Sequence, residues 1–84
     1  MASHVKVYAL TTCVHCRKTK EFLDECGVEY DCIHVDDLKG EERTKCIDEV
    51  RSHNPAVSFP TIVIDGDKVV VGFRKDKLKD LLGV

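Results

Sequence analysis

The apolar positions change their period along the chain, and the changes mark the elements. His4 to Leu10 predicts a strand, because Val5-Lys6-Val7-Tyr8-Ala9-Leu10 is rich in strand formers. From Cys16 to Cys26 the period becomes helical. Cys16, Thr19, Phe22, Leu23 and Cys26 share one face, while Arg17, Lys18, Glu21, Asp24 and Glu25 lie largely off it. Thr11 and Thr12 offer hydroxyls to cap this helix, and Gly27 is a natural stop. Glu29 to Val35 reads as a second strand and Asp36 to Gly40 as a loop. Glu41 to His53 reads as a second helix, with acidic residues at its start and Ile47 and Val50 on a narrow apolar face; Asn54-Pro55 ends it. Thr61 to Ile64 and Lys68 to Val71 predict short strands joined at Asp65-Gly66, a strong hairpin signal. Gly72 breaks the pattern, and Lys75 to Leu82 forms a last helix with Leu78, Leu81 and Leu82 facing inward.

The order is βαβαββα, an α/β pattern. Strand, helix and strand in succession imply a parallel pair with a right-handed crossover, and the hairpin adds two antiparallel strands. The expected architecture is a four-stranded mixed sheet flanked by three helices, with helices on both faces. No repeat, linker or low-complexity segment interrupts it, so residues 1–84 read as a single domain. The junction of the first strand and first helix is the natural functional edge.

Composition narrows the function. Charged residues make up 33% and apolar ones 43% of the 84 residues, a globular balance. A net charge of −2 argues against a nucleic-acid binder, which would be strongly basic. No apolar run approaches the ~20 residues that span a bilayer, and Met1-Ala2-Ser3-His4 does not begin a signal peptide. The five cysteines, Cys13, Cys16, Cys26, Cys32 and Cys46, are an odd number, unsuited to a full disulfide framework. A reducing cytoplasm is the expected compartment, where closely spaced cysteines are redox-active or metal-binding. Only Cys13-Val14-His15-Cys16 has that spacing.

A thiolate, not a thiol, attacks a disulfide. Cys13 falls at the first turn of the predicted helix, where unpaired N–H groups and the helix dipole favour negative charge, and Arg17 and Lys18 add positive potential. Two intervening residues let Cys16 reach back and close a disulfide within one turn. Cys13 is then the exposed nucleophile and Cys16 the more buried resolving thiol. His15 either stabilises the thiolate beside it or is an exposed side chain with no redox role. Ser58-Phe59-Pro60-Thr61 precedes the third strand. Pro60 either occupies a strand start, where a missing N–H is tolerated, or is cis and turns the backbone of Phe59 toward the cysteines, to pair with an extended substrate.

Cys13-Val14-His15-Cys16 after a strand, Phe59-Pro60-Thr61 before another and the terminal Gly72-Phe73 resemble the thioredoxin superfamily. The short chain resembles its glutaredoxin branch from about Val5 to Leu82. The resemblance implies a thioredoxin fold of glutaredoxin type and dithiol–disulfide exchange, with Cys13 and Cys16 catalytic and Thr12, His15, Phe59 and Pro60 against the substrate. Dithiol glutaredoxins usually have Pro-Tyr between the cysteines, Thr-Val-Pro at the proline loop and Gly-Gly-x-Asp-Asp near the end. Here Val14-His15, Ser58-Phe59-Pro60 and Gly72-Phe73-Arg74-Lys75-Asp76 stand there, and only Gly72 and Asp76 fit the last motif, which helps hold glutathione. That stretch is more similar to the Gly-Phe-Arg-Pro-Asp of NrdH-type redoxins, which thioredoxin reductase reduces. The resemblance therefore implies a protein with no tightly bound cofactor, carrying electrons in a Cys13–Cys16 disulfide and reducing disulfides in partner proteins; its small exposed active edge suits a monomer. Thioredoxin reductase is the implied electron donor, and glutathione the alternative.

The other cysteines read as packing residues: Cys26 and Cys32 buried, Cys46 partly exposed on the second helix. A zinc site built from Cys13, Cys16, Cys32 and His34 is the rival class, weakened by the lack of a second tight ligand pair. Alternation sends Cys32 and His34 to the same face of their strand. Asp36-Asp37, Glu41-Glu42 and the Lys75-Lys77-Lys79 series read as solvated faces.

Overall fold

The computed structural model describes residues 4–83. The reading of Met1–Ser3 as lacking a leader lies outside them. The elements follow the expected order: β1 (Val5–Ala9), α1 (Val14–Glu25), β2 (Asp31–His34), a 3-10 turn (Val35–Asp37), α2 (Gly40–His53), β3 (Thr61–Ile64), β4 (Lys68–Val71) and α3 (Lys75–Leu82). The sheet runs β2-β1-β3-β4. β1 and β2 are parallel, while β3 is antiparallel to both β1 and β4. The β3–β4 turn has positive φ at Asp65 (55°) and Gly66 (78°), the left-handed backbone that Asp-Gly favours.

Strand alternation builds a core on each face of the sheet. Val5, Val7 and Ala9 of β1 and Ile62 and Ile64 of β3 pack with Phe22 and Leu23 of α1 and Leu78 of α3. Tyr8 and Val63 point the other way and pack with Cys46 and Val50 of α2. Helices thus cover both faces, and β3 is buried throughout, with Ile62, Val63 and Ile64 following the polar Thr61.

Several boundaries differ from the sequence reading. β1 and β2 are shorter than predicted at both ends, and part of the predicted Asp36–Gly40 loop is the 3-10 turn. α1 starts at Val14, not Cys16, and its cap is Cys13 rather than Thr11 or Thr12. Cys46 is buried, at 7% exposure, whereas Cys26 and Cys32 are half-buried, the reverse of the expectation. The reason is geometric. Cys46 faces the sheet from the middle of α2, whereas Cys26 sits at the end of α1 and Cys32 on the edge strand β2.

Candidate functional site

The strand register gathers the site at one end of the sheet. β1 and β2 both run toward that end, and Tyr8 near the end of β1 pairs with Thr61 at the start of β3, which pairs with Val71 at the end of β4. Leu10–Cys13, Asp36, Phe59–Pro60 and Gly72 therefore leave the sheet together.

Cys13 caps α1 with extended backbone, φ −84° and ψ 118°. Its Sγ accepts a hydrogen bond from the Cys16 N–H at 3.3 Å, so sulfur takes the part that a hydroxyl or carboxylate oxygen usually plays at a helix start. Cys13 is half-buried. Cys16, three residues on, is sealed at 0% exposure. Burial, reinforced by a hydrogen bond to Cys13, pushes the Cys16 thiol up to about 12. The two sulfurs are close together and unequal: one half-buried and accepting a helix N–H, the other sealed and held as a thiol.

The Phe59–Pro60 peptide is cis, in keeping with the second reading of the proline loop. The carbonyl oxygen of Phe59 faces Cys13 Sγ at 4.0 Å. The Pro60 carbonyl accepts from the Gly72 N–H at 2.8 Å, which ties the loop to the end of β4. Gly72 has φ 80°, a left-handed conformation that favours glycine. The Phe59 N–H has no partner among the described residues.

An open cleft of about 340 Å³ adjoins the pair, lined by His15, Phe59, Val71, Gly72, Phe73 and Arg74. His15 and Phe59, both singled out from sequence, share this cleft; Thr12 is exposed beside it in sequence, and Pro60 is buried under the loop. Val14 stands 59% exposed at the first turn of α1.

Two supports of the site escaped the sequence reading. Asp36, taken there as a solvated charge, accepts the Thr11 N–H on both oxygens at 3.0 and 3.1 Å and the Thr11 hydroxyl at 2.5 Å. These bonds explain why Thr11 does not cap the helix. The hydroxyl bond first, then the backbone N–H, holds the Asp36 carboxyl below the ordinary carboxylate range. Asn54, read only as a helix stop, is buried and braces the proline loop. Its Nδ2 donates to Ser58 O (3.3 Å), Ser58 Oγ (3.0 Å) and Thr61 Oγ1 (3.2 Å), and its Oδ1 accepts from the Ala56 N–H (3.2 Å). The available signal was position: an acid just after a strand, and an Asn just before the proline loop, at the end of the sheet where loops converge.

Cys32 and His34 do share a face of β2, with Cys32 Sγ 3.8 Å from His34 Nε2, and Lys20 Nζ lies 3.2 Å from the same nitrogen. Among the described residues, no three His, Cys, Asp or Glu side chains converge in a way that holds a metal ion. The four-ligand arrangement weighed from sequence is therefore not assembled: Lys20, not a third ligand, completes the Cys32–His34 group.

This sheet order, three flanking helices, a CxxC pair at the start of α1 and a cis-proline loop beside it define a small thioredoxin-fold protein of glutaredoxin type. The glutaredoxin family model matches residues 5–69, and the chain belongs to that family. It is similar to the crystal structure of a glutaredoxin from Methanosarcina mazei, with 44% identity, a TM-score of 0.91 and coverage of 96% of this chain and 79% of that one. A glutaredoxin-like 8.6 kDa protein of the rubredoxin operon of Clostridium pasteurianum is 35% identical, over 93% of this chain and 96% of its own length. The glutaredoxin-like NrdH-redoxin of Escherichia coli, described as having a thioredoxin-like activity profile, shares the fold at 24% identity and a TM-score of 0.75, over 93% of each chain. No described helix is long and apolar enough to cross a membrane.

Proposed function

We propose that this chain, as a single monomeric domain in the cytoplasm, is a thiol-disulfide oxidoreductase that reduces disulfides in partner proteins through Cys13 and Cys16. The observation that carries the reading is the inequality of the two sulfurs: Cys13 accepts an N–H at 3.3 Å and is accessible, while Cys16 is fully buried. The Cys13 thiolate attacks one sulfur of the partner disulfide, forming a mixed disulfide and releasing the other sulfur as a thiolate. Cys16 then attacks Cys13 Sγ, passing its proton to the departing sulfur. The Cys13–Cys16 disulfide forms and the partner leaves fully reduced. Burial keeps Cys16 protonated until the mixed disulfide is beside it, which separates the attacking and resolving roles.

The Phe59 N–H, without a partner among the described residues, gives an extended substrate backbone a hydrogen-bond donor next to Cys13, and Thr12, His15, Phe59 and Pro60 form its surroundings. The electrons reside in the cysteine pair itself, with no tightly bound cofactor. The donor we favour is thioredoxin reductase, since Phe73 and Lys75 replace residues of the glutathione motif.

The test is NADPH consumption by the oxidised protein with two donors in parallel, thioredoxin reductase and glutathione with glutathione reductase. Turnover with thioredoxin reductase alone is expected. Rapid turnover with glutathione makes it a glutathione-dependent glutaredoxin instead, and no turnover with either overturns the redox reading.

A further inference from the structure

The charges of this chain are not evenly spread. The net charge is −2, yet exposed basic residues gather at the end of the sheet that carries the cysteines, alongside the exposed Asp37 and Asp76. Around the cleft stand His15 and Arg74. A second groove of about 210 Å³ shares Phe73 with the first and is lined by Lys18, Phe22 and Lys75, with Glu21 and Glu25 also on its walls. Lys75 Nζ lies 5.8 Å from the centroid of the Phe22 ring, which keeps its ammonium over the groove. Arg17, Lys18, Arg74 and Lys75 are all exposed. The one carboxylate tied into the loop before Cys13, that of Asp36, has both its oxygens engaged by Thr11. The opposite end of the sheet is acidic, with Asp24, Glu29 and Asp31 around a separate depression. The floor beside the cysteines is apolar: Phe59, Val71 and Phe73, with Val71 39% exposed and Val14 59% exposed on the other flank.

We propose that this face takes an extended, disulfide-bearing segment of a partner protein that carries an apolar residue beside its cysteine and acidic residues flanking it. The apolar residue sits against Phe59, Val71 and Phe73, and the acidic ones meet Arg74, Lys75 and Lys18. Opposite charge raises the rate of encounter, and the acidic far end turns away any approach of the partner in the reversed orientation. The inference rests on the disulfide-reductase reading and deepens it by naming the chemistry of the substrate.

The test uses the full chain in its reduced form and four substrates. Three are synthetic peptides with the same cysteine and the same neighbouring leucine, differing only in flanking Glu, Gln or Lys, each as a mixed disulfide with one aromatic thiol whose release is followed by absorbance. The fourth is the small neutral bis(2-hydroxyethyl) disulfide. The Glu peptide is expected to exceed the Lys peptide in kcat/KM by about tenfold at low ionic strength, with the gap narrowing as salt screens the charges. In an Arg74→Gln, Lys75→Gln variant the ratio between Glu and Lys peptides is expected to fall by at least half. Equal rates for the Glu and Lys peptides, or faster reduction of the Lys peptide, overturn the proposal while reduction of the small disulfide leaves the reductase reading standing. No reduction of any of the four overturns both.

Discussion

Cys16 shows how far a single side chain's surroundings change its chemistry. Its sequence neighbour on the pair, Cys13, has the same thiol, but only Cys16 is sealed from water. An unfolded chain lets such a thiol ionise near 9.0, whereas the folded chain withholds ionisation to about 12. Above the lower value the unfolded state gives up protons more readily, so stability is complete below it and falls as pH rises toward the upper one. The reduced protein is therefore expected to lose thermal stability from about pH 9 upward, and to lose it more steeply than the oxidised protein, in which Cys16 has no proton to give. Melting curves of both redox forms across the alkaline range check this. Asp36 has the opposite sense. Its carboxyl is held below the ordinary value of 3.8 by the Thr11 bonds, so its contribution is present above that value and is lost as acid protonates it. In Asp36→Asn the amide keeps an acceptor but has no proton to gain. The acid-side decline of the melting temperature is expected to be shallower in this variant than in the wild type.

At the scale of elements, the site is held by loops anchored to one another rather than by any single helix or strand. The loop after β1 is tied to the turn after β2 through Asp36, and the proline loop to the ends of α2 and β4 through Asn54 and Gly72. Asn54 is the most connected of these anchors, and its amide is buried. Asn54→Ala takes the donor from the buried Thr61 hydroxyl oxygen and the acceptor from the Ala56 N–H, and we expect a loss of about 1–3 kcal/mol of stability, read by urea denaturation. Turnover with a disulfide substrate is expected to fall as well, because Phe59 loses the brace that holds it opposite Cys13.

At the scale of the whole molecule, one sheet separates two cores. Leu23 lies wholly in the one beneath α1, and Val50 wholly in the one beneath α2. Leu23→Ala is expected to cost about 2–5 kcal/mol, a large share of what a domain this small has. Leu23 and Val50 touch different faces of the sheet and share no core, so the double variant's loss is expected to equal the sum of the single losses to within about 0.5 kcal/mol. A larger deviation in denaturation measurements indicates that the sheet transmits strain between its faces.

The element order, the facing of Leu23 and Leu78 toward the core, and the Cys13–Cys16 pair were legible in the sequence, because each rests on short-range regularities: a period of two or 3.6, a turn dipeptide, a two-residue spacing. The same regularities put Cys32 and His34 together on β2. What failed to show are particular side-chain contacts between distant segments. Thr11 has the right chemistry for a helix cap, and only the arrival of Asp36 across the parallel β1–β2 pair diverts it and leaves the cap to Cys13. Cys46 and Cys26 are equally apolar to a sequence reading; burial is decided by which lies over the sheet and which at a helix end. The proline loop, which the sequence offered as one that turns toward the cysteines, is carried opposite Cys13 by the antiparallel return of β3, and β4 brings the basic rim beside it, since charge in sequence is local but the field at a site is summed over whatever the fold brings near.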